Sequence, residues 1–521
     1  MKTSFRAVPS RLLLALAATA ACAAPAAHAA PDTTRVIVAF KPGAQGAAKA
    51  AVAAARGSVK HEIYGMDAMA IEVPTAALAG LSRNPNIEYV EEDAKRTMFA
   101  GTTPSTGTPY ASGQLVPYGI KMVQADQLAG ADLSTRKVCI IDSGYHRGHE
   151  DLSAAGNVTG EYDSGTGWWY TDENHHGTHV AGTISALNNA GTGVVGVNAN
   201  GTLKMHIVKV FGAEAWAYSS TLATAANKCA AAGANIISMS LGGSTSNRTE
   251  QRAFDALYAN NVLSIAAAGN GGNTRVSYPA GYASVVSVAA IDENKAWATF
   301  SQYNKDVEIA GPGVNVLSTV PMGTGRASAL SVGATTYQPG GMDGSPIGTV
   351  AAPLADFGLG GSAVAGSMSG KVCLIQRGTY DFGVKVANCQ ASGGVGAVIY
   401  NNAAGGFGGT TGTTATAIPS VTASDTEGAA MKGQLGQTAT VAVTASNYAF
   451  FDGTSMATPH VSAVAALVWA IHPQCTAAQL RNSLNLSAQD LGAAGRDNKF
   501  GFGLVQAKAA VDRISTRGCG A

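Results

Sequence analysis

Charge is what this chain has least of. Of its 521 residues only 13% are Asp, Glu, Lys or Arg, about half the share usual in soluble domains. Thirty-four basic against 33 acidic residues leave a formal net charge of +1. That balance gives no sign of the basic footprint of a nucleic-acid binder or of a protein held to an anionic membrane, so neither is expected as a partner. Beyond the N-terminus no apolar run reaches the roughly 18 residues a bilayer span needs. Core material is not lacking: 46% of residues are hydrophobic, and 64 glycines point to tight turns around a compact α/β or β-rich core. At this length two or more folded units are expected.

The N-terminus is a targeting segment. Lys2, Arg6 and Arg11 flank the run L-L-L-A-L-A-A, and Ala27-His28-Ala29 offers small residues at the cleavage positions. Residues 1–30 therefore read as a signal peptide and the protein as secreted, into a periplasm or beyond it. Cys22 as a lipid-modified residue is the alternative, but Thr19 sits where such sites favour Leu. The other six cysteines, Cys139, Cys229, Cys373, Cys389, Cys475 and Cys519, read as disulfides in an exported chain. Six cysteines allow fifteen connectivities; the pairing expected is Cys373–Cys389 and Cys475–Cys519, leaving Cys139 with Cys229.

Within residues 35–93, R-V-I-V-A-F, M-A-I-E-V-P and I-E-Y-V-E-E-D read as strands, and A-A-K-A-A-V-A-A-A-R and T-A-A-L-A-G-L as helices. Residues 100–110, A-G-T-T-P-S-T-G-T-P-Y, form a linker open to proteolysis. From residue 137 apolar strands (K-V-C-I-I, L-K-M-H-I-V-K-V, N-I-I-S-M-S-L, V-L-S-I-A-A-A, V-V-S-V-A-A-I) alternate with helices at 176–187, 219–232 and 249–260. This pattern predicts a parallel sheet covered on both faces, with its ligand at the carboxyl ends of the strands. A stretch from about 326 to 446, rich in Gly, Ala, Thr and Ser, breaks the rhythm. Helices resume at S-M-A-T-P-H-V-S-A-V-A-A-L-V-W-A and near 476–485.

Three strand ends or helix starts carry reactive groups. Asp142 follows V-C-I-I, His176 opens the helix of H-G-T-H-V-A-G, and Ser455 lies in G-T-S-M-A-T-P-H. A serine hydroxyl is a poor nucleophile until a base takes its proton. Histidine does so near neutral pH when a carboxylate fixes its tautomer and steadies its cation. Singly, such an Asp is a turn residue and such a Ser an N-cap. Together, in the order Asp, His, Ser, the strings D-S-G, H-G-T-H-V-A-G and G-T-S-M-A-T-P-H resemble the catalytic motifs of the subtilisin-like serine proteases, the subtilases.

The resemblance implies a doubly wound, mostly parallel α/β sheet with a small α+β propeptide and a β-rich inserted domain. It makes Asp142 the orienting carboxylate, His176 the general base and acid, and Ser455 the nucleophile. A-A-A-G-N at 266–270 resembles the segment bearing the oxyanion-stabilising asparagine, here Asn270, with the Ser455 N–H as second donor. S-M-S-L-G-G at 238–243 resembles the edge strand that pairs with substrate backbone. Ser240, Leu241, Gly242, Ala268 and Gly269 would border the pocket for the residue before the cut. Their small side chains leave it open for a large apolar or aromatic group, and with no acidic residue in these strings processing at basic residues is not expected. Gln114, Asp151 and Asn189, with the carbonyls of Leu187 and Val194, resemble the ligands of a structural calcium, in a loop (L-N-N-A-G-T-G-V) one residue longer than usual.

Residues 31–99 resemble the family's propeptide, chaperone and inhibitor of its own enzyme. Q-L-V-P-Y-G-I at 114–120 resembles a mature N-terminus, which places maturation near Tyr110-Ala111 with Tyr110 in the apolar pocket. The catalytic domain would run over 111–325 and 447–521. G-K-V-C-L-I-Q-R-G at 370–378 and N-C-Q-A-S-G-G-V-G-A-V-I-Y-N-N at 388–402 resemble a protease-associated domain, placing it at 326–446, with a monomer expected.

Two enzyme classes compete with this reading. His175 and His179 have the i, i+4 spacing of helical zinc ligands, but the Glu such a motif requires after its first His is replaced by His176. A lipase or esterase would carry G-x-S-x-G, which the chain lacks. A catalytically dead peptide binder would need none of the four chemical groups.

Overall fold

The apolar strands become the centre of a seven-stranded sheet, in the order Ile309–Pro312, Val285–Ile291, Leu263–Ala267, Ile236–Met239, Lys137–Asp142, Lys204–Lys209, Val158–Gly160. Every pairing in it is parallel. The structure is a computed structural model that describes residues 32–99, 114–128, 130–189 and 191–521. The signal peptide and the expected cut at Tyr110-Ala111 lie outside the described residues.

Ile236–Met239, Leu263–Ala267 and Val285–Ile291 are buried at every position, which is why they read as unbroken apolar runs. Successive side chains of Lys137–Asp142 alternate between two cores. Val138 and Ile140 join the core beneath the helices His176–Ser185, Thr454–Ile471 and Ala507–Arg517. Cys139 and Ile141 join the opposite core beneath Ser219–Ala231 and Arg248–Ala259, where Cys139 is bonded to Cys229. The other expected disulfides, Cys373–Cys389 and Cys475–Cys519, are also present.

The expectation that no apolar stretch beyond the N-terminus is long enough to span a bilayer fails at one helix. The helix Thr454–Ile471 has 18 residues and a hydropathy of 1.3, enough by length and composition to cross a bilayer. It is instead the central helix of the larger core, with 89% of it buried.

Residues 33–92 form a four-stranded antiparallel sheet in the order Ser58–Glu62, Ala68–Pro74, Thr33–Phe40, Ile87–Glu92. The run R-V-I-V-A-F is apolar at consecutive positions because both of its faces are covered. Val36, Val38 and Phe40 pack on the unit's own helix through Ala48 and Val52. Ile37 and Ala39 pack outward, with Ile63 and Ala68, on Ala223 and Ala253 of the helices Ser219–Ala231 and Arg248–Ala259.

Residues 325–446 grow from a hairpin stem, Val316–Thr319 paired with Tyr448–Phe451. They build a second seven-stranded sheet with both parallel and antiparallel pairs. Helices Phe382–Ala391 and Asp425–Lys432 complete it, around two apolar clusters of its own.

Candidate active site

Asp142 ends its strand, fully buried. Its Oδ1 lies 2.7 Å from Nδ1 of His176, also fully buried, and accepts the Ser143 N–H at 2.7 Å. That contact places the proton on Nδ1 and leaves Nε2 with its lone pair; Nε2 has no hydrogen-bond partner. His176 opens its helix because His175 before it takes a left-handed turn (φ 74°) without capping it. The cap comes from Asp172, whose carboxylate accepts from the N–H groups of Asn174, His175 and Thr178 and from the Thr178 hydroxyl. Asp172 also accepts from Ser143 Oγ at 2.9 Å, and that hydroxyl accepts the Gly177 N–H. One carboxylate thereby locks the Asp142 turn to the His176 helix. Sequence reasoning missed it, although an Asp just before a helix is a capping signal.

His179, one turn along, is buried and stacks on Phe451 at 4.3 Å. Its Nε2 lies 2.9 Å from the Val316 carbonyl and 3.1 Å from that of Ala449. Burial pushes its pKa down to about 3, so it is a neutral packing group. Among the described residues no group of three or more His, Cys, Asp and Glu could hold a metal ion.

Ser455 is the second residue of its helix, after Gly453 at φ 156°. Its hydroxyl donates to the Ser240 carbonyl at 3.0 Å, and the Ser240 hydroxyl returns a bond to the Ser455 carbonyl at 2.7 Å. Asn270 is oriented by Thr454, whose N–H and hydroxyl both donate to its Oδ1, at 2.9 and 2.8 Å. Its Nδ2 is left to donate to one atom, the carbonyl oxygen of Phe99. A Cβ at Gly453 would stand 2.7 Å from that oxygen and 3.0 Å from Asn270 Nδ2, so only glycine leaves room for the carbonyl.

Phe99 directly follows a strand, Lys95–Met98, laid antiparallel between Trp216–Tyr218 and Leu241–Gly242. Met98 stands opposite Leu241, and Thr97 lies between Gly242 and Trp216. The Phe99 N–H reaches the Ser240 carbonyl at 3.4 Å. A Cβ on Gly242 would meet the Phe99 ring at 2.6 Å, so the missing side chain makes one wall of the ring's site. Ala268 is buried, and Gly269, at φ 110°, donates its N–H to Thr454 Oγ1. Of the five pocket positions named from the sequence, Ser240, Leu241 and Gly242 flank the strand that leads to Phe99, while Gly269 is tied to the Ser455 helix through Thr454. Tyr110, expected in this pocket, lies outside the described residues; Phe99 stands there.

The N-terminal unit also caps two helices that have no caps of their own for these donors. Asp93 accepts from Ser219 Oγ, Ser220 N–H and Ser220 Oγ at the start of Ser219–Ala231, and pairs with Arg35 at 2.8 Å. Glu91 accepts from the N–H groups of Arg248 and Thr249 at the start of Arg248–Ala259. Carboxylates at helix N-termini are favoured by both the free donors and the dipole.

The residues expected to hold calcium gather in one loop cluster. Gln114 Nε2 donates to the Leu187 carbonyl at 2.8 Å and to Asn189 Oδ1 at 3.2 Å. Asp151 Oδ2 accepts the Val194 N–H, while its Oδ1 is buried without a hydrogen bond. Burial pushes this carboxyl up to about 7. An unmatched carboxylate oxygen among amide and carbonyl oxygens fits a hard cation, provided the Gln114 amide turns its oxygen inward.

The sequence model of the Subtilase family matches residues 134–345 and 327–503. An alkaline protease of Alkalihalobacillus alcalophilus is 37% identical over 269 residues, covering 51% of this chain and 65% of that protein. Alkaline elastase YaB of Bacillus sp. (strain YaB) is 38% identical over 273 residues, covering 51% and 66%. The chain thus spans about 65% of the length of the first of these relatives. The psychrophilic subtilisin-like protease Apa1 from the Antarctic psychrotroph Pseudoalteromonas sp. AS-11 is 42% identical. It covers 78% of this chain and 100% of its own, with a TM-score of 0.65.

Proposed function

The chain belongs to the subtilase family, and on that premise we propose that it is a secreted serine endopeptidase, made as an inactive precursor, that cuts polypeptides after large apolar or aromatic residues. One observation carries the reading: the Phe99 carbonyl accepts from Asn270 beside Ser455, on a strand held between two others as a peptide substrate would be. Ser455 Oγ swings from the Ser240 carbonyl to His176 Nε2, gives up its proton there and attacks the substrate carbonyl carbon. Asp142 holds the imidazole in the required tautomer and steadies its cation. Asn270 Nδ2 and the Ser455 N–H receive the developing oxyanion. His176 then protonates the leaving amine, and a water activated by the same nitrogen releases the acyl group.

We assign residues 31–99 as a propeptide that inhibits by filling the cleft, with Phe99–Ala100 the first bond cut. A second cut near Tyr110-Ala111 removes the linker. Gln114, Asp151, Leu187, Asn189 and Val194 would hold a calcium ion that, when bound, neutralises the Asp151 carboxylate and ties the loops together. Calorimetric titration of calcium into the parent and Asp151→Asn tests this, with loss of binding in the variant expected. The bonded cysteine pairs support an oxidising destination, and residues 326–446 are assigned as a protease-associated domain.

The reading is tested with Ser455→Ala on casein, alongside a phosphonate or sulfonyl fluoride probe. Activity and labelling should both vanish. Full casein hydrolysis by the variant, or labelling of another serine, would end it.

A further inference from the structure

Resting on the peptidase reading, the register of the strand in the cleft numbers its residues from the bond cut. Phe99 is P1, Met98 P2, Thr97 P3 and Arg96 P4. Arg96 is fully buried, while Lys95 and Thr97 on either side are exposed. Its main chain is fixed opposite Ala217, so its side chain enters the catalytic unit at a defined place.

What it meets there is a site shaped for a guanidinium. Arg96 Nε lies 2.9 Å from Glu250 Oε1, and Nη2 lies 2.6 Å from Oε2, a bidentate fork. Nη2 also donates to the Thr245 carbonyl at 3.0 Å, and Nη1 to that of Lys95 at 3.0 Å. Glu250 is itself held in place, because Tyr282 Oη donates to its Oε2 at 2.7 Å and Asn247 Oδ1 accepts its N–H. Gly243 forms the near wall; a Cβ there would stand 3.1 Å from Arg96 Nη1.

The two halves of this pair have different fates. Arg96 belongs to the segment that leaves on maturation, whereas Glu250 stays with the catalytic unit. The mature enzyme keeps a carboxylate at the foot of an arginine-sized pocket, with one hydroxyl donor. A substrate arginine restores the fork; an apolar P4 side chain strips the carboxylate of water and returns no bond.

We propose that Glu250, with Tyr282 and the Thr245 carbonyl, makes the P4 subsite of this peptidase select arginine, so that its preferred sites combine Arg at P4 with an aromatic or large apolar residue at P1. The basic selectivity that is missing from the P1 strings would thus reside three residues away.

The test uses the mature enzyme on acyl-X-Thr-Met-Phe fluorogenic peptides with X as Arg, Lys, Ala, Leu or Glu. The Arg peptide should exceed Ala and Leu at least about tenfold in kcat/KM, as expected for a charge pair formed in a buried site. Lys should fall between, because an ammonium cannot make the fork. In Glu250→Gln the Arg advantage should collapse. Should that variant fail to mature, Arg96→Leu/Glu250→Leu replaces the pair with apolar groups and should prefer Leu at X. Equal cleavage of the Arg and Leu peptides by the parent overturns the P4 assignment and leaves the peptidase reading standing. Cleavage of none of them, with Ser455 unlabelled by the probe, overturns the peptidase reading and the P4 assignment with it.

Discussion

Two satellites sit on the catalytic sheet, and they are held to it in opposite ways. The insert at 325–446 has its own apolar clusters and its own Cys373–Cys389 bond, and it joins the catalytic unit through the hairpin stem. The N-terminal unit has one apolar cluster of its own, and it covers the second face of its sheet with helices of the catalytic unit. It is also the partner of groups that the catalytic unit leaves unmatched: helix starts through Asp93 and Glu91, and a buried carboxylate through Arg96. The first satellite is an attachment. The second is a missing part of the catalytic unit, and on the proposed function it is released at maturation.

The strongest way to break this contrast is to delete each satellite in turn. Without residues 32–99 the yield of active enzyme on refolding should fall at least tenfold: two vacated helix caps at about 1 kcal/mol each already exceed the roughly 1.4 kcal/mol that a factor of ten requires. Adding residues 32–99 as a separate chain should restore it. Replacing 326–446 by a short Gly-Ser turn should leave a folded enzyme with most of its rate on short peptides, since Gly325 and Ser446 are paired neighbours at the top of the stem. Far-UV circular dichroism and peptide hydrolysis read both. Equal losses from the two deletions would erase the distinction.

The difference also explains what the sequence could disclose. The strings of Asp142, His176 and Ser455 are legible because each residue occupies a tight local setting: a strand end for Asp142, a helix start for His176, and a glycine-led turn for Ser455. The central strands are legible because burial on both faces leaves no polar position. The strand Ser58–Glu62 is mostly exposed, so S-V-K-H-E carries no alternation to read. The helix Ala507–Arg517 also carries a signal, with Ala507, Ala510, Val511 and Ile514 buried at helical spacing, although it is absent from the helices expected above. Arg96 and Glu250 are 154 positions apart, and nothing local in either string points to the other. Choosing Phe99 over Tyr110 for the pocket needs a strand register, and both are aromatic residues before an alanine.

A narrower cut at the contrast is Asp93→Ala. The change removes the acceptor for Ser219, Ser220 and Arg35 while the rest of the N-terminal unit stays intact. Across the interface it strips three hydrogen bonds from one charged acceptor, and hydrogen bonds to charged groups are worth about 1.5–3 kcal/mol. The Arg35 pair lies within the unit and does not count toward docking, so about 2–3 kcal/mol is expected, roughly 30- to 150-fold in the inhibition constant of the separate unit. The variant unit should still fold alone as well as its parent does. A change below threefold would mean that the cap contributes nothing to docking.

The smallest effect concerns pH, and it acts only on the docking of the N-terminal unit. His61 lies on the docked face of the N-terminal unit, its Nε2 buried without a partner. Burial holds its pKa below 6.5; Asp93, the Ser220 backbone and Asp163 pull it upward, Arg35 downward, and burial prevails. Ser220 and Asp163 belong to the catalytic unit, so undocking returns the imidazole to water and toward its ordinary value. The docked form therefore binds fewer protons than the separated one. On the proposed function, inhibition by the separate unit should be strongest above about pH 6.5 and should weaken as pH falls through the window below it, by at most about tenfold per pH unit for one group. The inhibition constant of the separate unit, measured at about pH 7.5 and about pH 5.5, should rise several-fold toward acid. In His61→Gln, which cannot charge, that rise should shrink to whatever the carboxylates at the interface contribute. An unchanged slope in the variant would take the pH response away from His61.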